Sequence, residues 1–345
     1  MADPPGVEPP AAAAPPLHVA VIGVGHLGKE HARVLAGLPG VRLSAVVDTD
    51  VARARAIAER HQCAWLADHR QLPDDVQAAS VVVPTVMHFS VTSHLLERGL
   101  SVLVEKPMTR SLQDARALAQ LARHSRGIMQ VGHIERFNPV FDAIADFEIL
   151  PRFIEAHRLA PFTFRSSDIG VVMDLMIHDL DLVLELVRSP VREIRASGGA
   201  LMSAEEDMAN VRLEFENGCV ANLTASRVSL KKMRRMRIFA TDSFISLDFD
   251  QKYGFIARKA KDFDQKKQQF MGMDPATLGP RAAEAFKDLI DIKELALDSG
   301  EPLRRELQAF VRAAREHSAP DVTADDGLRV IELASRIQDE LGWNR

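Results

Sequence analysis

The six residues Gly23-Val24-Gly25-His26-Leu27-Gly28 constrain this chain more than any other feature. They follow an apolar run, Leu17–Ile22, and precede a helical pattern that reaches about Leu38. Glycines at these positions of a strand-to-helix turn permit a tight bend, close approach of a ligand to the backbone and close packing of helix on strand. The start of the helix offers unpaired N–H groups and the positive end of its dipole, which together suit a pyrophosphate. A bare GxGxxG is a weak signal, and here its setting supplies the mechanism. The next strand, residues 41–47, ends at Asp48, within the range expected for the acid that binds an adenine ribose. Such a carboxylate accepts from both ribose hydroxyls and repels a 2′-phosphate. That favours NAD, while Arg53 and Arg55 keep NADP open. Gly23, Gly25, His26, Leu27, Gly28 and Asp48 are therefore the cofactor-binding candidates of the first turn.

The rest of the N-terminal half repeats one pattern. Short β-branched runs at 80–84, 101–105 and 127–131 alternate with helical stretches at 51–61, 86–98 and 111–123. That alternation predicts a doubly wound parallel sheet, a Rossmann-type α/β domain over residues 17–138. Residues 139–345 read as an α+β domain. A helical segment near 172–186 is followed by extended segments in which Val211, Leu213 and Phe215, then Ile245, Leu247 and Phe249, alternate with polar residues. The expectation is a large open, mostly antiparallel sheet with one face on the core and the other available to helices or a symmetry mate, hence a homo-oligomer. Residues 251–300 are polar and lysine-rich and predict loops and short helices; helices at about 303–316 and 325–341 close the chain. Residues 1–16, MADPPGVEPPAAAAPP, are too poor in burial-competent side chains to offset ordering entropy and predict a disordered tail. The tail lacks the positive and apolar regions of a secretory signal, so the expected location is cytoplasmic.

Charge and cysteine content remove several function classes. Lys+Arg 43 against Asp+Glu 48 gives a net charge of −5, without the basic surplus of a nucleic-acid binder. Cys63 and Cys219 form no CxxC, which argues against a disulfide scaffold or a cysteine-built zinc site. No apolar run approaches the ~18–20 residues that cross a bilayer. The single tyrosine, Tyr253, is followed by Gly-Phe-Ile-Ala, so the Tyr-x-x-x-Lys of short-chain dehydrogenases is absent.

Two motifs then carry chemistry. Glu105-Lys106-Pro107 falls at the C-terminal end of a parallel strand, the edge where doubly wound sheets bind ligands. Pro107 restricts Lys106 to extended geometry and permits a cis bond. Asp174 and His178 stand at i and i+4 in the apolar run VVMDLMIHDLDLVLELV, one face of a helix. A buried pair of this kind is better explained as a general base with its orienting acid than as an idle core histidine. Asp179 and Asp181 do not share that face cleanly, and no metal is expected.

GVGHLG, EKP and DLMIHD in this order resemble the Gfo/Idh/MocA oxidoreductases, over essentially everything after the tail. The resemblance implies a Rossmann domain joined to an open-sheet domain, with Lys106 between nicotinamide and substrate and with Asp174 and His178 at the sugar hydroxyl. It also implies that Pro84, Thr85 and His88 flank the nicotinamide, beside Glu105 and Lys106. Within the family, VGHIERFNPVF (131–141), DIGVVMDLMIHDLDLVL (168–184) and EPLRRELQAF (301–310) are similar to members that oxidise UDP-N-acetylglucosamine at C3. Their product feeds a sugar aminotransferase in lipid A or surface-polysaccharide synthesis.

A nucleotide-sugar substrate needs cations for its diphosphate. Arg136, Arg158 and Arg165 are the candidates, an ordinary salt bridge being the alternative for Arg136. The run Lys231-Lys232-Met233-Arg234-Arg235-Met236-Arg237 cannot aim all its charges one way on an extended chain, and is expected to be a solvated edge. Two other functions stay open: oxidation of UDP-N-acetylglucosaminuronate, a free hexose or inositol, and a non-catalytic NAD-binding regulator. A regulator has no need to keep Lys106, Asp174 and His178 together.

Overall fold

A computed structural model describes residues 15–163, 169–271 and 289–343. The disordered tail expected at 1–16 lies outside the described residues except for Pro15 and Pro16.

Strands β1 (Leu17–Ile22), β2 (Val41–Val47), β3 (Ala64–Leu66), β4 (Ala78–Val81), β5 (Ser101–Glu105) and β6 (Met129–Gly132) form a parallel sheet in the order β3-β2-β1-β4-β5-β6. Its central strands are buried on both faces, as continuous runs such as Val19 to Ile22 and Val102 to Val104 require. Helices α1 (Gly28–Ala36), α2 (Val51–His61), α3 (Thr85–Glu97) and α4 (Leu112–His124) make the crossovers. Three residues at β3 were not foreseen; an edge strand this short carries too little alternation to be seen. The strand order reverses between β1 and β4, and the crevice above that point is where a doubly wound sheet takes its ligand.

After the short helix α5 (Pro139–Asp142), the second sheet contains β7 (Pro151–Leu159), β8 (Val191–Gly199), β9 (Met208–Phe215), β10 (Val220–Ser226), β11 (Met233–Ala240), β12 (Ser243–Asp248), β13 (Tyr253–Lys259) and β14 (Ile290–Glu294). The order is β14-β13-β12-β11-β7-β10-β9-β8, antiparallel except where β10 runs parallel to β7. The described residues of 251–300 therefore contain two strands, β13 and β14, besides a helix at Phe263–Met271. Expecting only loops and helices there was wrong. Among the described residues β14 pairs only with β13 and buries little, and an edge strand is free to be polar.

One face of this sheet packs on the helix α6 (Ile177–Val187), which continues a π-helical turn at Val172–Met176. The two C-terminal helices cross back onto the first domain. The helix Pro302–Glu316 buries Leu303, Leu307 and Phe310 with Val19, Val21 and Leu35 in one apolar cluster. The helix Ala324–Leu341, capped by a Thr323/Asp326 capping box, packs against α4 and β6. The site thus lies on a braced frame between two sheets. Among the described residues, no helix is long and apolar enough to cross a membrane.

Candidate active site

The glycine turn has the form its spacing predicts. Gly23 adopts φ +86°, and a Cβ there would stand 2.6 Å from the Val82 carbonyl oxygen. At Gly28 a Cβ would come within 1.8 Å of the Gly23 carbonyl oxygen, so the first turn of α1 can rest on the loop only as glycine. Gly25 differs: a Cβ would meet nothing within 4 Å. The open side of the loop is where a pyrophosphate approaches, and α1 has no side-chain cap at Leu27 to compete with it. His26 and Leu27 are exposed beside that opening.

Asp48 ends β2 with its carboxylate turned to the loop. Oδ2 accepts from the Val24 N–H at 3.0 Å and Oδ1 from the Asp50 N–H at 2.9 Å, while Arg53 Nη1 lies 3.3 Å from Oδ2. A carboxylate has about four acceptor sites, so capacity remains for ribose hydroxyls. The space at Gly25, the uncapped helix and this carboxylate fit a dinucleotide. Gly25→Ala should leave the melting temperature nearly unchanged and weaken NAD binding at least about tenfold. Gly28→Ala should destabilise by roughly 1–3 kcal/mol, because a backbone clash outweighs alanine's helix preference of about 1 kcal/mol. Thermal melts with and without NAD separate the two; equal melting temperatures for both variants would refute the geometry.

Lys106 follows β5, and the Lys106–Pro107 bond is cis. Its ammonium crosses to the second domain, where Nζ donates to the Asp174 carbonyl at 2.8 Å and lies 3.3 Å from Asp174 Oδ1. Asp174 and His178 were expected to face one another as acid and base. The structure corrects this: the π turn over 172–176 widens the spacing, Asp174 engages Lys106, and among the described residues the buried His178 Nδ1 has no hydrogen-bond partner. Burial, reinforced by the charges of Lys106, Arg158 and Arg234, holds the His178 imidazole well below its usual pKa. At neutral pH it is an uncharged base.

The segment leading into this helix is clamped from the second sheet. Val171 N–H donates to the Glu206 carbonyl at 2.9 Å and Val172 N–H to Glu206 Oε1 at 3.2 Å. Arg227 Nε donates to Asp207 at 2.7 Å while its Nη1 donates to the Ile169 carbonyl at 2.6 Å.

Other expected site residues are occupied differently. Pro84 and Thr85 stand at the start of α3, exposed and half-buried. His88 is buried, with Nδ1 2.8 Å from the Pro107 carbonyl and Nε2 2.9 Å from the Val83 carbonyl. Its polar atoms brace the segment after Lys106 instead of reaching into the cleft. Glu105 also turns inward, its Oε1 3.3 Å from His31 Nε2. Beside it, the fully buried Glu306 has no partner for either oxygen among the described residues, and burial next to Glu105 raises its pKa well above the ordinary carboxyl range.

The arginine expectations need the largest revision. Arg136 takes the salt-bridge alternative, with Nη2 2.8 Å from Asp181 and Nη1 2.8 Å from Glu185. Arg158, only 3% exposed, is held by Asp179 at 2.9 Å and Glu135 at 2.8 Å, so its charge is already compensated. Such arginines support α6 from below; they are poorly placed to receive a diphosphate. Arg165 lies outside the described residues.

One residue escaped notice in the sequence. His133, directly after β6, is 2% exposed, and its buried Nδ1 has no partner among the described residues. It flanks Lys106 at the same sheet edge, since Glu105 pairs with Gly132. Burial lowers its pKa, and its charge would be felt at His178. The only sequence signal was its place at a strand's C-terminal end. Among the described residues no group of His, Cys, Asp and Glu could hold a metal ion.

With this geometry established, relatives can be compared. Residues 17–133 match the oxidoreductase family described by an NAD-binding Rossmann fold, and residues 151–246 match the GFO/IDH/MocA C-terminal domain. The chain is 41% identical over 234 residues to UDP-N-acetylglucosamine 3-dehydrogenase of Acidithiobacillus ferrooxidans, covering 68% of this chain and 74% of that protein. It is 29% identical over 229 residues to the NAD(+)-dependent scyllo-inositol 2-dehydrogenase of Bacillus subtilis, covering 61% of this chain and 67% of that one. A solved structure of the Acidithiobacillus ferrooxidans enzyme superposes with a TM-score of 0.83 at 33% identity, over 95% of this chain and 99% of that chain.

Proposed function

This chain belongs to the Gfo/Idh/MocA oxidoreductases, and from that premise we propose that it oxidises a ring hydroxyl of a nucleotide sugar, UDP-N-acetylglucosamine at C3, with NAD as acceptor. The observation that carries the chemistry is the meeting of Lys106 and Asp174 across the two domains, 2.8 Å from ammonium to backbone carbonyl, beside the neutral His178. The 41% identity to an enzyme of that activity supports the substrate.

In this proposal residues 17–138 hold the dinucleotide through Gly23 to Gly28 and Asp48, and residues 139–345 supply the sugar pocket. A bound nicotinamide supplies the hydride acceptor. His178 takes the proton of the reacting hydroxyl, and its lowered pKa keeps it ready to do so at neutral pH. Lys106 donates to the same oxygen and stabilises the negative charge it develops, while Asp174 fixes the ammonium's position. His88 holds the Pro107 carbonyl and so the segment that aims Lys106. The 3-keto product is an activated carbonyl suited to an aminotransferase. We place the enzyme in the cytoplasm, as a homo-oligomer, in amino-sugar supply for lipid A or a surface polysaccharide.

The test is NADH absorbance with purified protein against UDP-N-acetylglucosamine, UDP-N-acetylglucosaminuronate, free hexoses and inositols, with hydroxylamine to draw off the ketone as its oxime. A trapped 3-keto UDP-sugar is expected. Turnover of an inositol or free hexose with none of UDP-N-acetylglucosamine would replace this substrate.

A further inference from the structure

Arg136 and Arg158 are compensated by carboxylates, which leaves open what meets the charge of a nucleotide sugar. The basic run 231–237 answers this through strand parity. On β11, Met236 and Ile238 are buried on the inner face, whereas Arg235, Arg237 and Phe239 are exposed on the outer one. Arg234 shares the inner parity. Its cross-strand neighbour is Arg158, at the end of a ladder that pairs Ile238 with Ile154 and Met236 with Ala156. The apolar inner face thus ends in two arginines. Arg158 is buried against Asp179, the residue after His178. Arg234 is 41% exposed, and its one ion-pair contact among the described residues is 3.6 Å to Glu135, a carboxylate that Arg158 already holds at 2.8 Å. Among the described residues its guanidinium makes no hydrogen bond. Of the other cations of the run, Lys232 is drawn to Asp250, Arg235 to Asp248 and Arg237 to Glu155, and Lys231 is exposed in the bend before β11.

We propose that Arg234 is the substrate-binding cation of this site, the residue that meets the diphosphate of the nucleotide sugar from the sheet side of the cleft. This rests on the nucleotide-sugar function proposed above. Three features carry it. Among the described residues the guanidinium stands at the end of the inner ladder beside Arg158, is open to solvent, and has no bidentate carboxylate partner to displace. A planar fork of N–H donors in that state suits two phosphate oxygens. In this proposal the solvated-edge expectation holds for Lys231, Lys232, Arg235 and Arg237 and fails for Arg234.

UDP itself is the probe, because its binding needs no turnover. Titration calorimetry of the full-length protein with UDP, in the presence of NAD, should show Arg234→Gln weakening the Kd roughly 10–100-fold, the loss of one or two charge-assisted hydrogen bonds. Arg234→Lys should recover part of that loss, and the KM for UDP-N-acetylglucosamine should rise with kcat nearly kept. Arg237→Gln, which removes the same charge from the outer face, should bind UDP as the wild type does. A melting temperature unchanged in Arg234→Gln would show that the fold is intact. Equal UDP affinity in wild type and Arg234→Gln overturns the assignment and leaves the proposed function standing. An equal loss in Arg237→Gln also overturns it, since net charge would then suffice. Wild type that binds no UDP overturns both. Wild type that binds UDP through Arg234 but oxidises no UDP-N-acetylglucosamine upholds Arg234 and rejects that sugar.

Discussion

Replacing His178 or Lys106 by alanine should lower kcat by roughly 10²–10⁴-fold, about 2.7–5.5 kcal/mol of transition-state stabilisation, with NAD binding retained. Neither residue is part of the glycine loop, so cofactor affinity and chemistry should separate cleanly. The pH profiles carry a further signature. His178 accepts a proton only when neutral, and burial followed by the Lys106 charge holds its pKa well below the usual 6.5. The acid limb of kcat/KM should therefore fall below pH 6.5, with activity lost as pH drops through the depressed value. Lys106→Ala removes one of the charges that depress it, so the residual activity should show its acid limb moved upward. The linked stability has a definite sign. With a folded pKa below the unfolded one, the contribution is complete above pH 6.5 and declines as the unfolded chain takes up a proton below it. An unmoved acid limb in Lys106→Ala, or wild-type turnover in either variant, would remove these residues from the reaction.

What the sequence made legible follows from the range over which each signal acts. Gly23 to Gly28 and Asp48 answer to local backbone geometry, and their turn and strand end were found at the positions anticipated. Lys106 was legible because the end of a parallel strand has a known relation to the ligand crevice. The pairing of Asp174 with His178 was misjudged because i and i+4 assumes α-helical pitch, whereas a π turn runs from Val172 to Met176. Nothing local announces that the acid's partner is a lysine 68 residues earlier. Arg158 presented the same difficulty. Its carboxylates, Glu135 and Asp179, come from other elements that only the folded topology brings to β7. In the run 231–237 alternation correctly said that the charges must diverge, yet which parity faced inward depended on the register of β11 against β7. β14 was invisible for an energetic reason, since an edge strand needs no buried face of its own.

The second large effect concerns stability, and the Arg158 network decides it. Arg158 is fully enclosed, and Glu135 and Asp179 are each only 6% exposed at their side chains. Burial opposes both carboxylate charges; Arg158 reverses that for Glu135 and offsets it only partly for Asp179. Arg158→Met keeps the volume and apolar stem but leaves two buried acids without their cation. Breaking a buried ion pair from one side typically costs about 3–5 kcal/mol, far more than the pair contributes relative to apolar residues. Chemical denaturation should show a loss of that size. The double variant Arg158→Met/Asp179→Leu should lose less than the sum of the two single changes, because Glu135 keeps Asn138 Nδ2 at 2.9 Å and the contact to Arg234. Since Asp179 adjoins His178 on α6, kcat should fall in Arg158→Met even where the protein stays folded. Arg158→Lys, which keeps the charge but not the fork, should fall between wild type and Arg158→Met on both measures. A single variant within about 1 kcal/mol of wild type, or additive losses in the pair, would mean that α6 is held by its apolar packing and that the buried charges merely accompany it.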